Sequence, residues 1–222
     1  MASLTTFCSE VAPQSALVFD VGAHAGDRVT AFRRNGAEVV ALELQQLIAQ
    51  ALRLMFAFDR KVRVIRTALG DGQGTVPMLV NCANPTASTL SDAFVRAADG
   101  APGWQGQVWD RTVETPVTTL DALIEAYGIP DFIKIDTEGY EATVLKGLSA
   151  PVPALSFEVT TINRQSGIAA IAECTRLGFI QYRLSLGESH EWHTEWVTAD
   201  QMAETIRSLP TEANSGDVVA CI

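Results

Sequence analysis

The chain has 222 residues, of which 47% are hydrophobic, and a formal net charge of −10 at pH 7. This length and composition predict one domain with a core large enough to fold without disulfides or metals. The acidic balance and the lack of a run of Lys or Arg argue against nucleic acid as a partner, because affinity for phosphate backbones comes from clustered basic side chains.

The cysteines and the N-terminus suggest where the protein works. The four cysteines, at positions 8, 82, 174 and 221, are far apart and form no C-x-x-C pair, which is typical of reduced thiols in a cytosolic protein. The N-terminus has no basic stretch followed by a long apolar one, so we predict no signal peptide. Since no apolar run is long enough to span a bilayer, we expect a cytoplasmic protein with no membrane partner. The oligomeric state stays open.

The first part of the chain alternates between helix and strand. Residues 16–21 form a near-continuous apolar run, as a buried parallel strand does. A helix over 47–59 is predicted from apolar residues at helical spacing, which are Leu47, Ala51, Leu54, Met55 and Phe58. The other predicted elements are a short helix or arm at 4–13, a helix at 27–35 ended by Gly36, and strands at 38–42, 62–65 and 75–80.

Residues 81–112 break this alternation. They are rich in Asn, Pro, Ser and Gly, with one short helix predicted at 92–98. Because the segment is too long for a simple connection, we expect a lid or acceptor-binding insertion, or a mobile segment. Trp104 and Trp109 either pack locally or form a wall for an apolar or sugar acceptor. The same two roles, loop capping or acceptor binding, are open to Asn84, Thr86, Ser88 and Thr89.

The alternation then resumes to the end of the chain. A strand near 115–118 leads into a helix at 120–127, for which Thr119 is the predicted N-cap. The remaining elements are strands at 132–136, 154–158, 179–184, 192–197 and 218–222 and helices at 141–148, 167–177 and 199–208. Strands that alternate with helices predict a doubly wound, Rossmann-like α/β fold.

Two strand-and-turn units carry the functional signal. The first, Phe19-Asp20-Val21-Gly22-Ala23-His24-Ala25-Gly26, is a strand that ends and turns on glycine into a helix. Glycines in this pattern let the backbone approach a ligand at a helix N-terminus. Glu43 ends the next strand about 20 residues later, where α/β nucleotide-binding proteins place an acid on the ribose hydroxyls. A nucleoside-type ligand is therefore predicted; a tight turn and an exposed strand-end acid is the alternative.

The second unit is Asp131-Phe132-Ile133-Lys134-Ile135-Asp136-Thr137-Glu138-Gly139-Tyr140-Glu141. Asp136 ends one strand and Glu158 the next, so these acids can meet, with Glu138, at one sheet edge. Such a cluster serves as a general base or binds a divalent cation, but without a decisive ligand spacing we predict no metal site. Glu141 is assigned to the first turn of the next helix, and Lys134 to a structural ion pair.

Together these motifs resemble the FkbM-type family of S-adenosylmethionine-dependent O-methyltransferases. The resemblance covers most of residues 17–160 and returns at 216–220. Its further pieces are Val40-Ala41-Leu42-Glu43, Ala68-Leu69-Gly70-Asp71, Thr119-Leu120-Asp121-Ala122-Leu123 and Phe157-Glu158. The Ile-Lys-Ile-Asp-x-Glu-Gly-x-Glu string is fairly specific, and the order and spacing of all the pieces are more so.

The resemblance implies a single class I methyltransferase domain over residues 1–222, with a mainly parallel seven-stranded sheet that contains one antiparallel strand. It implies that S-adenosylmethionine binds with its methionine part near Asp20, Gly22, Ala23, His24 and Gly26. It further implies contacts of the ribose with Glu43 and Leu44, of the adenine with Thr67 and Ala68, and of the sulfonium with Asp136.

Three departures from the family pattern limit what carries over. His24 stands where the family usually has Asn, and Leu44-Gln45 replaces the usual Pro after the acid. Residues 81–112 have no family signature, so the acceptor pocket is not inferred from them.

The implied activity is methyl transfer to a hydroxyl of a small molecule or saccharide, with Asp136, Glu138 and Glu158 as catalytic residues. One rival is an NAD-type oxidoreductase on the same fold, which the missing third glycine disfavours. The other is a non-catalytic nucleoside-binding scaffold protein, which the changes at 24 and 44–45 leave open.

Overall fold

The computed structural model describes residues 4–222, and residues 1–3 of the predicted domain lie outside them. Within 4–222 there are ten strands and eight α-helices. The strands are β1 (Leu17–Val21), β2 (Glu38–Leu42), β3 (Val62–Ile65), β4 (Ala68–Leu69), β5 (Gly74–Val80), β6 (Arg111–Thr118), β7 (Phe132–Ile135), β8 (Ala154–Thr160), β9 (Gln181–Leu186) and β10 (Ser215–Cys221). The helices are α1 (Leu4–Val11), α2 (Asp27–Arg34), α3 (Gln46–Met55), α4 (Asp92–Ala98), α5 (Leu120–Tyr127), α6 (Glu141–Lys146), α7 (Arg164–Leu177) and α8 (Ala199–Ser208). None of the helices within the described range is long and apolar enough to cross a membrane.

Seven strands form the main sheet, in the order β3-β2-β1-β7-β8-β10-β9. β1 pairs in parallel with both β2 and β7, and β8 continues the parallel run. β10 is antiparallel to β8 and β9, so the predicted mainly parallel sheet with one antiparallel strand is confirmed. The strand order changes direction between β1 and β7, which makes a crevice at their carboxyl ends where ligands of open α/β sheets bind.

Helices cover both faces of this sheet. On one face, α1, α2 and α3 pack through residues such as Phe7, Phe32 and Leu52. On the other, α5 to α8 pack through side chains that include Leu145 and Ile206. Neighbouring residues of the buried strands point to opposite faces and so join different clusters. Strands buried on both faces explain the near-continuous apolar runs from which they were predicted.

A second, three-stranded sheet has the order β4-β6-β5. The predicted strand at 75–80 is confirmed as β5, but it pairs with β6 rather than with the main sheet. β6 begins at Arg111, so the last residues of the predicted insertion 81–112 are strand. Inside the insertion, the predicted helix 92–98 is confirmed as α4, and Phe94 of that helix is fully buried.

The prediction of a strand at 192–197 is wrong. Only isolated bridges occur there, between Ser185 and Trp192 and between Tyr182 and Val197. Between these bridges the pairing is irregular: the His193 N–H donates to the Leu184 carbonyl at 2.7 Å, whereas Arg183 bonds through its side chain, with Nε donating to the Thr194 carbonyl at 3.0 Å and the guanidinium 4.5 Å from the centre of the Trp192 ring. The segment covers the outer edge of β9 without adding a strand to the sheet.

The helix predicted at 47–59 is confirmed as α3, but it ends at Met55. The buried side of α3 is formed by Ala49 and Leu52. Of the apolar residues that predicted the helix, Leu47 and Leu54 are exposed on its opposite side, and Phe58 is exposed in the turn that follows the helix. Helical spacing identified the element, but the apolar face that it revealed points away from the core.

Candidate functional site

The first turn of the site depends on Gly22. Its φ is +81°, and its N–H and that of Ala23 both donate to the Leu42 carbonyl, at 3.0 and 2.9 Å. A Cβ at Gly22 would lie 2.0 Å from the Asp136 carbonyl oxygen. Glycine therefore permits the close approach of the turn after β1 to the end of β7, and this approach defines the centre of the crevice.

Gly26, which was predicted to contact the cofactor, lies at the start of α2 and faces α3. Its φ is +85°, and a Cβ there would lie 2.7 Å from Leu52 Cδ2 and 3.3 Å from the Phe56 ring. Gly26 lines neither of the two cavities described below among the residues of the described chain. It instead lets the start of α2 pack closely against α3.

Glu43 follows β2 and is 6% exposed. The backbone N–H of His24 donates to its Oε2 at 3.0 Å, and that of Gln45 donates to its Oε1 at 2.7 Å. Burial raises the pKa of Glu43 above its ordinary value, and these backbone donors partly offset the rise. Each carboxylate oxygen retains a free lone pair, so Glu43 is a fixed hydrogen-bond acceptor at the wall of the crevice.

A cavity of about 240 Å³ opens at the carboxyl ends of β1, β2, β7 and β8. It brings together most of the predicted site residues, which are Gly22, His24, Glu43, Leu44, Thr67, Ala68, Asp136, Glu138 and Glu158. Its wall also contains residues not assigned to the cofactor or to catalysis from the sequence, among them Leu69, Met78 and Leu90. The wall of the cavity therefore combines apolar side chains with carboxylates.

A second cavity, of about 150 Å³, lies on the other side of the Gly22 turn. It contains the predicted residues Asp20 and Ala23 and shares Gly22, His24 and Asp136 with the first cavity. Asp20 is 1% exposed, and neither of its carboxylate oxygens has a hydrogen-bond partner within residues 4–222. A buried carboxylate without a donor is costly, so Asp20 is suited to receive a donor from a ligand.

Burial raises the pKa of Asp20 to about 6, against the opposing effect of the nearby Lys134 and Arg28 cations. Both cations also line the second cavity. Arg28 forms an ion pair with Asp217 of β10. Arg28 and Asp217 were not predicted as site residues, because they are 189 positions apart and only the tertiary fold joins them.

Three carboxylates meet at the centre of the site. One oxygen each of Asp136, Glu138 and Glu158 lies within 4.8 Å of the others. Lys134 is 2% exposed, and its Nζ donates to Asp136 Oδ2, which is the structural ion pair predicted for it. The strands explain this convergence, since β7 and β8 are parallel neighbours and their carboxyl ends meet.

The three carboxyl groups differ in acidity. Burial acts to raise the pKa of Asp136, but the Lys134 ammonium outweighs it and holds that pKa below its usual range. Burial, followed by the charges of Asp136 and Glu141, raises the pKa of Glu138 to about 8. Burial, followed by the charges of Asp136 and Glu138, also raises the pKa of Glu158 well above its ordinary value. Asp136 therefore ionises first as the pH rises, and Glu138 keeps its proton until about pH 8.

The turn after β7 aims Glu138 at this cluster. Glu138 has a φ of +54°, which is uncommon for a residue with a side chain, and Gly139 has a φ of +86°. Glu141 Oε1 accepts hydrogen bonds from the backbone N–H groups of Thr137 and Gly139, at 3.0 and 3.1 Å. Glu141 therefore holds the turn, and the strained backbone at Glu138 is typical of functional sites.

The insertion supplies the outer wall of the first cavity through Thr86, Ser88, Thr89 and Leu90. Thr89 Oγ1 donates to the Glu138 carbonyl at 2.7 Å, which ties the insertion to the turn after β7. Trp109 Nε1 donates to the Ala87 carbonyl at 2.8 Å. Trp104 and Trp109 both lie edge-on to the Phe94 ring rather than in the cavity wall. Of the two roles open to these tryptophans, local packing is the one observed.

Comparison with known families decides the class of protein. Residues 20–209 match the methyltransferase FkbM domain. The chain belongs to the FkbM methyltransferase family. A search of curated proteins found no significant match.

Solved structures agree with this family in fold. Precorrin-6y C5,15-methyltransferase from Geobacter metallireducens GS-15 superposes with a TM-score of 0.50 at 10% identity, over 99% of this chain and 88% of that one. A TehB-like SAM-dependent methyltransferase from Corynebacterium glutamicum gives a TM-score of 0.50 at 9% identity, over 98% and 86%. At these identities the likeness shows the methyltransferase fold alone.

Proposed function

We propose that this member of the FkbM methyltransferase family transfers a methyl group from S-adenosylmethionine to a hydroxyl of a small molecule or saccharide. The observation that carries the proposal is the position of Asp136. It lies where the two cavities meet, with Glu43 on one side, Asp20 on the other and the Glu138–Glu158 pair beside it.

The donors and acceptors of the two cavities fit S-adenosylmethionine. Ribose hydroxyls need a fixed acceptor, and Glu43 offers free lone pairs on both oxygens. The apolar walls at Leu44 and Ala68 suit the faces of an adenine ring. An α-amino group would supply the donor that Asp20 lacks. When bound, the cofactor supplies a methyl group made electrophilic by the adjacent sulfonium.

The protein's main task in this reaction is to align the two reactants and exclude water. A hydroxyl is a weak nucleophile, so a base near the operating pH assists it. Asp136 is ionised at neutral pH, but Lys134 makes it a weak base. Glu138, with a pKa of about 8, is matched to that task. We assign proton acceptance to Glu138 and orientation of the acceptor hydroxyl to Asp136, with Glu158 taking part as the third carboxyl group of the cluster.

The acceptor side of the first cavity mixes hydroxyl and apolar groups. Thr86, Ser88 and Thr89 line it together with Met78 and Leu90. Such a wall suits a hydroxyl-bearing small molecule or a saccharide with one apolar face. We propose residues 81–112 as the lid of this site, because Gln45 Nε2 donates to the Pro85 carbonyl at 2.8 Å and joins the lid to the cavity rim. The cytoplasmic location stays a prediction.

We assign no metal to the carboxylate cluster. Lys134 already supplies Asp136 with a positive charge inside this buried cluster, so the structure gives Asp136 a compensating cation of its own.

The proposal is tested by turnover of methyl-labelled S-adenosylmethionine with a panel of alcohols, phenols and glycosides, each with amine and carboxylate analogues, with and without magnesium. We expect methyl ethers to form and their rate to rise with pH until about pH 8. E138Q should lower kcat by about 10²–10⁴-fold and remove this rise. The exposed Glu125 of α5 provides the control E125Q. Transfer only to nitrogen or carbon, or an unchanged pH profile in E138Q, would contradict the proposal.

A further inference from the structure

The outer side of α3 carries an apolar surface without a partner in the described chain. We define the α3 stripe as Leu47, Ala51, Leu54 and Met55 of the helix together with Phe58 of the turn that follows it. Ala49 and Leu52 occupy the opposite side and are 0% and 1% exposed. The large stripe residues are 80% exposed at Leu47, 78% at Leu54, 61% at Met55 and 102% at Phe58. The helix is therefore apolar on two opposed sides, and the core uses one of them.

The α3 stripe is large enough to be an interface. At about 200 Å² for each large apolar side chain, it presents about 600 Å², which matches the largest apolar patches of ordinary monomers. A standard interface buries about 800 Å² per partner. Phe58 projects fully into solvent, as an anchor residue does before it enters a partner's pocket.

Basic residues surround the stripe in a chain whose net charge is −10. Arg53, Arg60, Lys61 and Arg66 are all exposed, and none makes a salt bridge within residues 4–222. The one acid of this stretch, Asp59, is already engaged by Arg33 at 2.7 and 3.1 Å. This edge of the molecule is therefore locally positive as well as apolar.

We propose that the α3 stripe and these four basic residues form a docking surface for an acidic amphipathic helix of a protein partner. An apolar helix face flanked by cations matches a helix with anchors at the same spacing and carboxylates on either side. A second copy of the chain fits less well, since it would place two surfaces that each carry these four unpaired cations against each other.

An anionic bilayer also fits less well than a helix. A planar surface would meet the acidic remainder of this molecule as well as its basic edge, whereas a helix about 10 Å wide contacts the edge alone. A strand of a partner protein is also prevented from pairing with the edge strand β3 here. Arg53 Nε and Nη2 both donate to the Val64 carbonyl of β3 at 3.3 Å and so cover the unpaired side of the strand.

The position of the surface links it to the site. α3 begins directly after the rim residues Glu43, Leu44 and Gln45, and Arg66 Nε donates to the Leu44 carbonyl at 3.2 Å. A partner on α3 would therefore lie beside the mouth of the first cavity. This inference does not depend on the methyl acceptor, and it stands or fails separately from the proposed reaction.

The test measures the binding of fluorescein-labelled designed helices by fluorescence anisotropy. One helix carries Leu on one face and Glu elsewhere, and its counterpart carries Lys in place of Glu. We expect micromolar binding of the acidic helix only. Its affinity should fall at least about tenfold in F58E and in R60E/K61E, and also when NaCl is raised from about 50 to about 500 mM. The matched controls are I180D and K146E, at exposed positions away from α3. They should stay within about twofold.

Three results would overturn the inference. The first is no binding of the acidic helix, or binding that F58E does not change. The second is a concentration-dependent dimer in sedimentation velocity that F58E abolishes, which would make a second copy the partner. The third is binding to phosphatidylglycerol vesicles with no binding to the helix. Equal melting temperatures of wild type and variants would exclude misfolding, since the altered side chains are exposed.

Discussion

Replacing Lys134 by methionine tests the electrostatics of the site without any knowledge of the acceptor. Methionine is similar to lysine in length, so K134M keeps the packing of β7 and removes one positive charge. Lys134 is 2% exposed and pairs with Asp136, which is one-third exposed. Its charge also acts on the unpartnered Asp20. The variant therefore leaves both carboxylates in a buried site without their main compensating cation.

The size of the effect follows from this burial and depends on pH. Loss of one partner of a buried ion pair costs about 3–5 kcal/mol, and the part exposure of Asp136 favours the lower limit, about 3 kcal/mol near pH 8. In wild type, the pKa of Asp136 lies below its usual range, so this group stays ionised down to acid pH. In K134M its pKa rises, and the folded variant gains protons as the pH falls. Uptake of each proton reduces the destabilisation caused by K134M by up to about 1.4 kcal/mol per pH unit. We therefore expect a remaining destabilisation of about 1 kcal/mol near pH 5.5.

Urea unfolding of wild type and K134M at several pH values measures this difference. K146M removes an exposed lysine of α6 and should change the free energy of unfolding by less than about 0.5 kcal/mol. A K134M destabilisation that stays constant from pH 5.5 to pH 8, or one below about 0.5 kcal/mol throughout, would refute the reasoning.

Further predictions concern single residues of the site. G22A should destabilise the protein by more than about 2 kcal/mol and abolish binding of S-adenosylhomocysteine, because its Cβ would lie 2.0 Å from the Asp136 carbonyl; G72A, with open space around its Cβ, should do neither. Wild-type stability should fall as the pH rises from 5.5 to 8, because the pKa of about 8 at Glu138 makes the folded state bind more protons than the unfolded one. E138Q should flatten this fall, and a profile unchanged in E138Q would count against it. E43Q should weaken binding of S-adenosylhomocysteine by at least about tenfold in a calorimetric titration, and unchanged affinity would exclude Glu43 from the ribose site.

The centre of the site could be predicted from the sequence, since parallel strands with acids at their ends bring those acids together. Asp136 directly follows β7, and Glu158 lies near the carboxyl end of the neighbouring β8, which continues to Thr160; their carboxylates meet as expected. Lys134 lies two residues before Asp136 and on the same face of the sheet, so their ion pair could also be predicted from the sequence. Periodicity and strand-end chemistry carry information of this local kind.

Contacts that depend on the tertiary fold could not be predicted from the sequence. The Arg28–Asp217 ion pair joins a helix to the last strand, and no local pattern indicates it. The α3 spacing was read correctly as helical, but a helix that is apolar on two sides does not reveal which side is buried. The segment at 192–197 has the composition of a strand, yet side-chain contacts of Arg183 and Thr194 make its pairing irregular.

The measurement that tests the central claim most directly is a calorimetric titration of the purified protein with S-adenosylhomocysteine, with NADH as the control ligand. The site described here predicts micromolar binding of S-adenosylhomocysteine, about −8 kcal/mol, and no binding of NADH. Binding of NADH alone would favour an oxidoreductase on this fold. Binding of neither ligand would contradict a working cofactor site and favour a scaffold protein.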